Sequence, residues 1–416
     1  MAGLLAIVVA LMVAYALRHL MFTLNRLFGR QRHPYLDIDV ADWPMVTVLV
    51  PAHNEEAVIG GCLEALAAVD YPPHRLKIVP IDDRSTDNTA EIIRQCQARH
   101  PARIHPFFRT EGAGGKSAAL KDALAHAEGE IILLFDADYV PSRALIKRLA
   151  APFFDPEVGA VMGRVVPSNT GCNALTRLLD IERSAGYQVD QQARMNMRLV
   201  PQFGGTVGGV RRIAVDAVGG WDDAMLTEDT DITIRLVMHG WKVAYTNRSE
   251  CHEEVPQEWA VRVQQVRRWS RGHNQVMLRH GLRYLTSRRI TTRERVDGIM
   301  LLGVFAMPVV LLAGWLLVAA LYFMNASQLL LLFIPLLILM SYGTLGNFAA
   351  FFEMAVAVLL DGNRKRIRLL PLNLLGFIVS LFAIVQGFLG AVADRITGRV
   401  QVWDKTRRYR LAEAAR

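Results

Sequence analysis

The stretch GEIILLFDAD, residues 129–138, decides the fold of this chain, because an apolar run ends directly in two carboxylates. A short apolar run bounded by turn residues is typical of a buried strand. Two earlier runs, MVTVLVPA (45–52) and KIVPIDD (77–83), also end in polar residues, and helical patterns separate the three runs. This alternation predicts an α/β domain with a mainly parallel sheet over residues 44–255.

Asp136 and Asp138 stand two residues apart where the third run stops. At the strand period of two, their side chains project from the same side of the chain. Together they can hold a hard divalent cation and the phosphates that this cation neutralises. An Asp-Ala-Asp triplet also arises by chance in loops. Ligands of α/β sheets bind at the carboxyl ends of the strands, however, and this position favours a site.

The first two predicted strands also end in polar side chains. Asn54 and Glu55 follow the first strand, and Asp82 and Asp83 end the second. Carboxylate and amide groups at these ends can bind the N–H edge of a base and a ribose hydroxyl. Asn54 and Asp83 are also good helix caps, and the two roles are compatible.

A glycine-rich loop, EGAGGKSAAL (111–120), precedes a predicted helix. It is not a Walker A motif, because Thr110 stands where that motif needs a glycine. Free backbone N–H groups at a helix start still favour an anion, which Lys116 would accompany. The alternative is an ordinary loop with a solvated lysine.

The stretch LTEDTDITIRL (226–236) places Glu228 and Asp229 at the start of a helical pattern. A carboxylate at this position is usually a helix cap. The alternative function is a general base, fixed in place by the same helix, that takes a proton from an acceptor hydroxyl.

The stretch VQQVRRWSRGHNQ (263–275) predicts a helix on which Gln265 and Trp269 share a face, with Arg268 beside them. A basic amphipathic helix on a membrane surface explains the arginines. It does not explain the combination of an amide, a guanidinium and an indole. An indole face can stack on a sugar, and an arginine can pair with a diphosphate.

Apolar segments flank the α/β domain. Residues 3–24 are long enough to span a bilayer, and three arginines follow them without a cleavage site, so residues 1–25 are expected to anchor the chain with the domain in the cytoplasm. Residues 256–297 are predicted to form interfacial helices, residues 298–393 about three apolar segments, and residues 394–416 a basic tail. Because the basic loop 364–368 and the tail both favour the cytoplasm, three simple crossings do not fit, and one segment is expected to be re-entrant, interfacial or split.

The composition agrees with a membrane protein. Hydrophobic residues make up 52% of the 416 residues, and the net charge is +8. A basic surplus suits nucleic acid or the anionic face of a membrane, and its position beside the apolar segments favours the membrane over nucleic acid. The four cysteines are far apart, which favours free thiols in a reducing cytoplasm over a zinc site or disulfides.

The order of five motifs resembles that of the family 2 membrane glycosyltransferases of GT-A fold. The motifs are PAHNE (51–55), DDRS (82–85), DAD (136–138), TED (227–229) and QVRRW (265–269). This family includes cellulose, chitin, hyaluronan, glucomannan and poly-N-acetylglucosamine synthases, as well as some glycolipid synthases. The resemblance covers residues 46–275 and implies a GT-A nucleotide-sugar transferase domain with N- and C-terminal transmembrane helices.

The resemblance assigns a role to each motif. Residues that would bind the nucleotide-sugar are Ala52, Asn54, Glu55, Asp83, Lys116 and Asp136. Asp138 would bind the metal, Mg²⁺ or Mn²⁺. Asp229 would be the catalytic base, and Glu228 would help to orient the acceptor. Residues that would bind the diphosphate and the acceptor sugar are Gln265, Arg268 and Trp269. QFGGT (202–206) resembles a segment beside the acceptor site, and WDKTRR (403–408) resembles a gating-loop segment.

The implied reaction is a single displacement that converts an α-linked donor, expected to be a UDP-sugar, into a β-linked product. The expected acceptor is a growing polysaccharide, and the alternative is a membrane lipid that receives one or a few sugars. The chain has fewer apolar segments than the large polymer synthases, which leaves a self-contained polymer channel in doubt. A third hypothesis is an inactive membrane partner that binds nucleotide-sugar or scaffolds a secretion complex. The expected location is the inner cell membrane, with several crossings and a cytoplasmic catalytic domain.

Overall fold

The computed structural model describes residues 1–33, 42–324, 335 and 344–399. Within these residues, the soluble part contains eight strands: β1 Val46–Ala52, β2 Leu76–Asp83, β3 Phe107–Arg109, β4 Ile131–Leu134, β5 Val140–Pro141, β6 Val158–Pro167, β7 Gly208–Arg211 and β8 Lys242–Glu253. They form one sheet in the order β3-β2-β1-β4-β7-β6-β8-β5.

The sheet confirms the predicted α/β fold. Strands β3, β2, β1 and β4 are parallel neighbours, and β6 is parallel to β8, whereas β7 and β5 run antiparallel to their neighbours. Strand β4 is buried along its whole length, and β1 almost so. Such continuous burial is expected where helices cover both faces of a sheet, and it explains the unbroken apolar runs in the sequence.

Helices cover the sheet and continue into the apolar segments. They are α1 Ala2–Phe28, α2 Ile59–Ala67, α3 Thr89–Arg99, α4 Lys116–Ala123, α5 Leu145–Ala150, α6 Ala174–Ser184, α7 Gln192–Met197, α8 Arg212–Ala217, α9 Glu228–Met238, α10 Trp259–Thr286, α11 Thr292–Gly303, α12 Met307–Phe323, α13 Thr344–Leu360 and α14 Leu370–Thr397. A π-helical turn, Ala185–Gln191, joins α6 to α7.

The register of the parallel strands builds the site. Ala52 of β1 pairs with Asp82 of β2, so the first two polar strand ends lie side by side. Leu49 pairs with Leu134, the last residue of β4, so the DAD motif follows at the same edge. The predicted meeting of the strand ends is therefore present in the sheet.

Two described helices are long and apolar enough to cross a membrane, Gly3–Phe28 and Arg364–Thr397. A third candidate is the pair Thr292–Gly303 and Met307–Phe323, which is bent by 73°. Helix α1 packs against α12 through Leu5 and Leu321, and against α13 through Ala16 and Ala349. The predicted helix break near residues 343–346 falls partly outside the described residues, as does the WDKTRR segment.

Helix α14 lies beside α10. A residue before α14 contacts the α/β domain, and a residue near the end of α14 contacts α10. Before α14, Asp361 accepts hydrogen bonds from Arg164 at 2.6 Å and Ser184 at 2.5 Å. Near its end, Asp394 forms a bidentate pair with Arg271 of α10, at 2.6 and 2.7 Å. Between these ends, a Cβ on Gly387 would lie 2.5 Å from the carbonyl oxygen of Arg267, so glycine permits the close approach. Asp361, before α14, and Asp394, near its end, therefore each contact the α/β domain or α10.

Candidate functional site

A cavity of about 670 Å³ opens at the carboxyl edge of β1, β2 and β4 and extends to helices α1, α10 and α11. The predicted residues that line it are Ala52, Glu55, Asp83, Lys116, Asp136, Glu228, Asp229, Gln265, Arg268 and Trp269. Asn54 and Asp138 are not among its lining residues. The five motifs, which are spread over more than two hundred residues, thus contribute to one cavity.

Asn54 stabilises the turn beneath the cavity. Its backbone has a φ of 55°, in the left-handed region that asparagine tolerates better than most residues. Its Oδ1 accepts a hydrogen bond from the backbone N–H of Thr86 at 2.7 Å, and its own N–H donates to Ser85 Oγ at 2.9 Å. These bonds join the ends of β1 and β2. Asn54 therefore has a local structural role, which the sequence allowed in addition to ligand binding.

Asp83 holds the glycine-rich loop. Its Oδ2 accepts the backbone N–H of Gly115 at 3.0 Å, and its Oδ1 accepts a bond from Arg109 at 2.6 Å. Gly115 has a φ of 102°, which a residue with a side chain rarely adopts. Free N–H groups at this helix start were expected to bind an anion, but the N–H of Gly115 is bonded to a carboxylate of the chain. The loop brings Lys116 to the cavity instead.

Lys116 is not a solvated lysine. Its side chain is 17% exposed, and its ammonium lies 2.7 Å from Asp136 Oδ1, 2.9 Å from the carbonyl oxygen of Gly205 and 3.5 Å from Glu228 Oε1. Burial lowers the pKa of Lys116, but the carboxylates of Asp136 and Glu228 outweigh burial and raise it above its ordinary value. The lysine stays charged, and the alternative of an ordinary loop is wrong.

The DAD motif does not present both carboxylates to the cavity. Strand β4 ends at Leu134, so the period of two does not continue through the motif. Asp136 lines the cavity, with its N–H donating to Thr206 Oγ1 at 3.1 Å. Asp138 is fully buried, and its Oδ2 accepts the N–H of Glu254 at 3.3 Å. The expectation that the two side chains project together is wrong for this reason.

The carboxylates near the cavity are potential ligands for a divalent cation. No group of three or more His, Cys, Asp or Glu side chains suited to a metal ion occurs in the described part of the chain. Mg²⁺ is usually bound by one or two carboxylates together with substrate phosphates and water, rather than by a cage of protein ligands. Asp136, the DAD carboxylate that lines the cavity, therefore fits an ion that a diphosphate brings with it, whereas Asp138 is buried and does not line the cavity.

Glu228 and Asp229 begin helix α9, where the helix dipole favours negative charge. Burial raises the pKa of Glu228 to about 7, although Lys116 opposes this shift. Burial also raises the pKa of Asp229, whereas hydrogen bonds from Thr230 lower it. Both described hydrogen bonds to the carboxylate of Asp229 come from Thr230 and end on Oδ1, at 2.7 Å from the backbone N–H and 3.3 Å from the hydroxyl.

Helix α10 brings the QVRRW motif to these carboxylates. A Cβ on Gly272 would clash with the side chain of Thr227, so glycine lets α10 approach the TED motif closely. The indole of Trp269 lies beside two guanidinium groups, with ring distances of 5.2 Å to Arg183 and 5.3 Å to Arg262. Cation–π contacts of this kind fix the orientation of the ring.

A polar cluster on the same side of the cavity was not predicted from the sequence. Arg183 pairs with Glu253 Oε1 at 2.7 Å, and the hydroxyl of Tyr139 donates to Glu253 Oε2 at 2.9 Å. Glu253 ends β8, so the rule that identified Asp83 and Asp136, a carboxylate at a strand end, would also have identified Glu253. Arg183 gives no such signal, because it lies within a helix.

Four charged residues close a ring at the opposite end of the cavity, where α1 forms part of the wall. Arg18 pairs with Asp297 at 3.1 Å and with Asp190 at 3.4 Å, and Arg194 pairs with the same two carboxylates at 2.5 Å each. The charges alternate around the ring, so each buried charge has two opposite neighbours. Asp190 comes from the π-helical turn, an element that is often found at functional sites.

Comparison with known proteins gives a family and a fold. Residues 44–272, more than half of the chain, match the description "Glycosyltransferase like family 2". Among similar proteins, a β-monoglucosyldiacylglycerol synthase of Synechocystis sp. is 34% identical over 286 residues, which are 67% of this chain and 59% of that protein. Glucomannan 4-β-mannosyltransferase 7 of Arabidopsis thaliana is 27% identical over 382 residues, 87% of this chain and 64% of that protein. The chain thus covers less than two thirds of the length of either relative.

One solved structure supports the fold. The mannosyltransferase PcManGT from Pyrobaculum calidifontis, in complex with GDP-Man and Mn²⁺, superposes with a TM-score of 0.55 at 23% identity. The superposition covers 85% of this chain and 98% of that one. The resemblance on which the sequence analysis relied, and the fold that it implied, are both confirmed.

Proposed function

Because the chain belongs to the glycosyltransferase-like family 2, we propose that it is a membrane-bound, inverting β-glycosyltransferase that uses a nucleotide-sugar, with a UDP-sugar as the expected donor. One observation carries this proposal. Lys116 contacts Asp136 on the donor side of the cavity and Glu228 beside Asp229 on the acceptor side. A cation that can bind the diphosphate of the sugar donor therefore lies in the same partly enclosed cavity as a carboxylate base for the acceptor. Sugar transfer requires both groups.

The donor occupies the edge formed by β1, β2 and β4. Ala52, Glu55 and Asp83 line this edge and bind the base and ribose, and Asn54 stabilises the turn beneath them. Lys116 and Asp136 lie next to them, and the diphosphate displaces part of their ion pair. Gln265, Arg268 and Trp269 close the cavity from α10, where a guanidinium can pair with the diphosphate.

A divalent cation fits the DAD motif, and Mg²⁺ and Mn²⁺ are the candidates. Asp136 would hold it, with diphosphate oxygens completing its coordination, and Asp138, the metal residue that the resemblance implies, would have to turn toward the cavity to join it. When bound, it would neutralise negative charge on the departing nucleotide. PcManGT, which shares the fold, was solved with Mn²⁺.

The reaction is a single displacement. The acceptor oxygen attacks the anomeric carbon as its proton passes to Asp229, and the bond from that carbon to the diphosphate oxygen breaks. The nucleoside diphosphate leaves with the bonding electron pair, and Lys116 and Arg268 stabilise its charge. Attack opposite to the leaving group converts an α-linked donor into a β-linked product.

The two acceptor classes of the sequence analysis are both represented among the relatives, by a glycolipid synthase and a glucomannan synthase. One observation favours a membrane lipid over a growing polysaccharide. Leu301, Val304 and Phe305, at the bend between α11 and α12, form an apolar wall of the cavity. A lipid acceptor can reach Asp229 along this wall from the bilayer. The polysaccharide remains the second candidate, with proteins of a secretion complex as candidate partners.

The proposed orientation places the α/β domain in the cytoplasm of the cell, at the inner membrane, where nucleotide-sugars are available. Arg26 lies in the last turn of the first apolar helix, and Arg30 and Arg32 follow this helix on the side of the domain. The positive-inside rule therefore supports the orientation. With α1 and the bent pair α11–α12 as crossings, the chain is a multi-pass protein.

The test is an incubation of the purified full-length protein with a panel of radiolabelled UDP- and GDP-sugars and either Mg²⁺ or Mn²⁺. Product is then divided between chloroform/methanol and a polymeric fraction. We expect product with one donor, in the organic phase, and none with Asp229→Asn. Label that is found only in polymer selects the polysaccharide. Absence of transfer from every donor, in detergent and in lipid nanodiscs, contradicts the proposed function and favours an inactive partner.

A further inference from the structure

His273 lies in the wall of the cavity, one helical turn after Trp269, and belongs to none of the five motifs. Its side chain is 9% exposed. One side of its ring packs against Phe305, with ring centres 4.7 Å apart and an interplanar angle of 40°. The imidazole is thus buried between the catalytic helix α9 and the apolar wall at the bend of α11 and α12.

The described hydrogen-bond geometry leaves this imidazole poorly satisfied. Its two ring nitrogens lie 3.4 and 3.5 Å from Thr230 Oγ1, beyond the usual range for a hydrogen bond to oxygen. Because the two distances are nearly equal, the hydroxyl is not in line with either nitrogen. Thr230 Oγ1 already accepts a bond from Gln202 at 2.9 Å and lies 3.3 Å from Asp229 Oδ1.

Buried polar groups almost always have a close partner, and an exception needs an explanation. A second histidine on the same helix has one close partner. His280, two turns further on, is also buried, and its Nε2 lies 2.8 Å from Asp231 Oδ1, although its Nδ1 has no hydrogen-bond partner among the described residues. His280 has a structural partner, whereas His273 faces a cavity.

The position of His273 identifies the missing partner as part of the acceptor. Thr230 contacts both His273 and the carboxylate of Asp229, so a group beside His273 lies next to the base. Burial lowers the pKa of His273 to about 4, so the ring is neutral near pH 7 and offers one donor and one acceptor nitrogen. A neutral ring suits an uncharged hydroxyl better than a phosphate.

Building on the proposed function, we propose that His273 binds the acceptor through a hydroxyl adjacent to the one that Asp229 deprotonates. This hydroxyl is uncharged and belongs to the polar end of the acceptor, whether a lipid headgroup or a sugar. The remainder of the acceptor packs against Phe305. His273 is thereby an acceptor-binding residue, and it determines which hydroxyl reaches the base.

The test compares His273→Phe, His273→Gln and the matched control His280→Gln in the full-length protein. The donor is the one that the panel identifies. The acceptor probe is dioleoylglycerol in mixed micelles if the product is lipid-soluble, or a short β-linked oligosaccharide of the transferred sugar if it is polymeric. KM for the acceptor, KM for the donor, release of free sugar from the donor and Tm are measured for each variant.

We expect His273→Phe to raise the acceptor KM about tenfold, the effect of one lost hydrogen bond to a buried group. Its donor KM and its release of free sugar should stay within about twofold of wild type. His273→Gln, which keeps a donor and an acceptor, should recover most of the affinity. His280→Gln should lower Tm without changing the acceptor KM.

An unchanged acceptor KM in His273→Phe would overturn the inference, and so would an equal rise in both KM values. Either result would make His273 a packing residue on Phe305 and leave the proposed function intact. A wild-type protein that transfers no sugar would refute the proposed function, and this inference with it.

Discussion

The ammonium nitrogen of Lys116 lies 2.7 Å from Oδ1 of Asp136, within a partly buried ion pair that the glycine-rich loop positions. We predict that Lys116→Ala raises KM for the donor by about 10- to 100-fold, because a charge-assisted hydrogen bond contributes about 1.5–3 kcal/mol. Steady-state kinetics with varied donor concentration measures the change. Lys121→Ala is the control, since this residue lies on the same helix and forms an exposed pair with Asp223. An unchanged donor KM in Lys116→Ala would exclude the lysine from the donor site.

Asp229→Asn is predicted to lower kcat by about 10²- to 10⁴-fold, because the amide cannot take the proton of the acceptor hydroxyl. Donor affinity, measured by equilibrium binding of the nucleotide-sugar, should change little. The substitution preserves the shape of the side chain and its carbonyl oxygen, so the Thr230 bonds at Oδ1 can remain. Sugar transfer at the wild-type rate would show that another group is the base.

The rate of transfer should rise as the pH increases through about 7. Burial raises the pKa of Glu228 to about 7 and also raises that of neighbouring Asp229, so the pair loses its last proton near neutrality. The base acts only when deprotonated, and the rate therefore falls on the acid side. Glu228→Gln removes a negative charge beside Asp229, lowers the pKa of Asp229 and moves the rise to lower pH. Profiles of kcat/KM for the acceptor at saturating donor measure both midpoints, and identical midpoints would separate Glu228 from the titration.

Arg18→Ala should destabilise the folded protein by about 3–5 kcal/mol, because it leaves the buried carboxylate of Asp297 and the partly exposed one of Asp190 without one of their cations. Thermal unfolding of the detergent-solubilised protein should show a lower Tm. Arg30→Ala, at an exposed position beyond the end of the same helix, is the control and should leave Tm unchanged. Equal Tm values for the two variants would mean that the ring adds nothing to stability.

Both ends of α14 are predicted to face the same side of the membrane. We replace either Lys365, just before α14, or Thr397, at its end, with cysteine in a Cys172→Ser background. Both positions are exposed, and each cysteine should react with an impermeant maleimide from the cytoplasmic side. A cysteine at Phe323, at the far end of α12, should react from the other side. Opposite labelling of positions 365 and 397 would show that α14 crosses the bilayer.

The sheet and the donor edge of the site could be predicted from sequence because both depend on local patterns. Buried parallel strands are continuous apolar runs, and Asp83 and Asp136 follow such runs directly. The expectation that the side chains of Asp136 and Asp138 project together was wrong because the strand ends before the motif, and a period holds only while the strand continues.

The membrane side of the cavity could not be predicted in the same way. Arg18 and Asp297 are 279 residues apart, and neither belongs to a local motif. The same limit applies to α14, whose composition is that of a membrane span although Asp394 and Gly387 hold it beside α10. Hydropathy measures how apolar a segment is, but contacts between distant segments decide where it lies.

Helix α1 supplies Arg18 and His19 to the cavity wall, and this has a practical consequence for studies of the enzyme. A fragment that begins at the first strand would retain the sheet and the carboxylates of the TED motif but lose one wall of the cavity. Replacing α1 with an unrelated transmembrane helix would restore attachment to the bilayer without restoring that wall. The first helix is therefore part of the candidate site as well as a candidate membrane anchor.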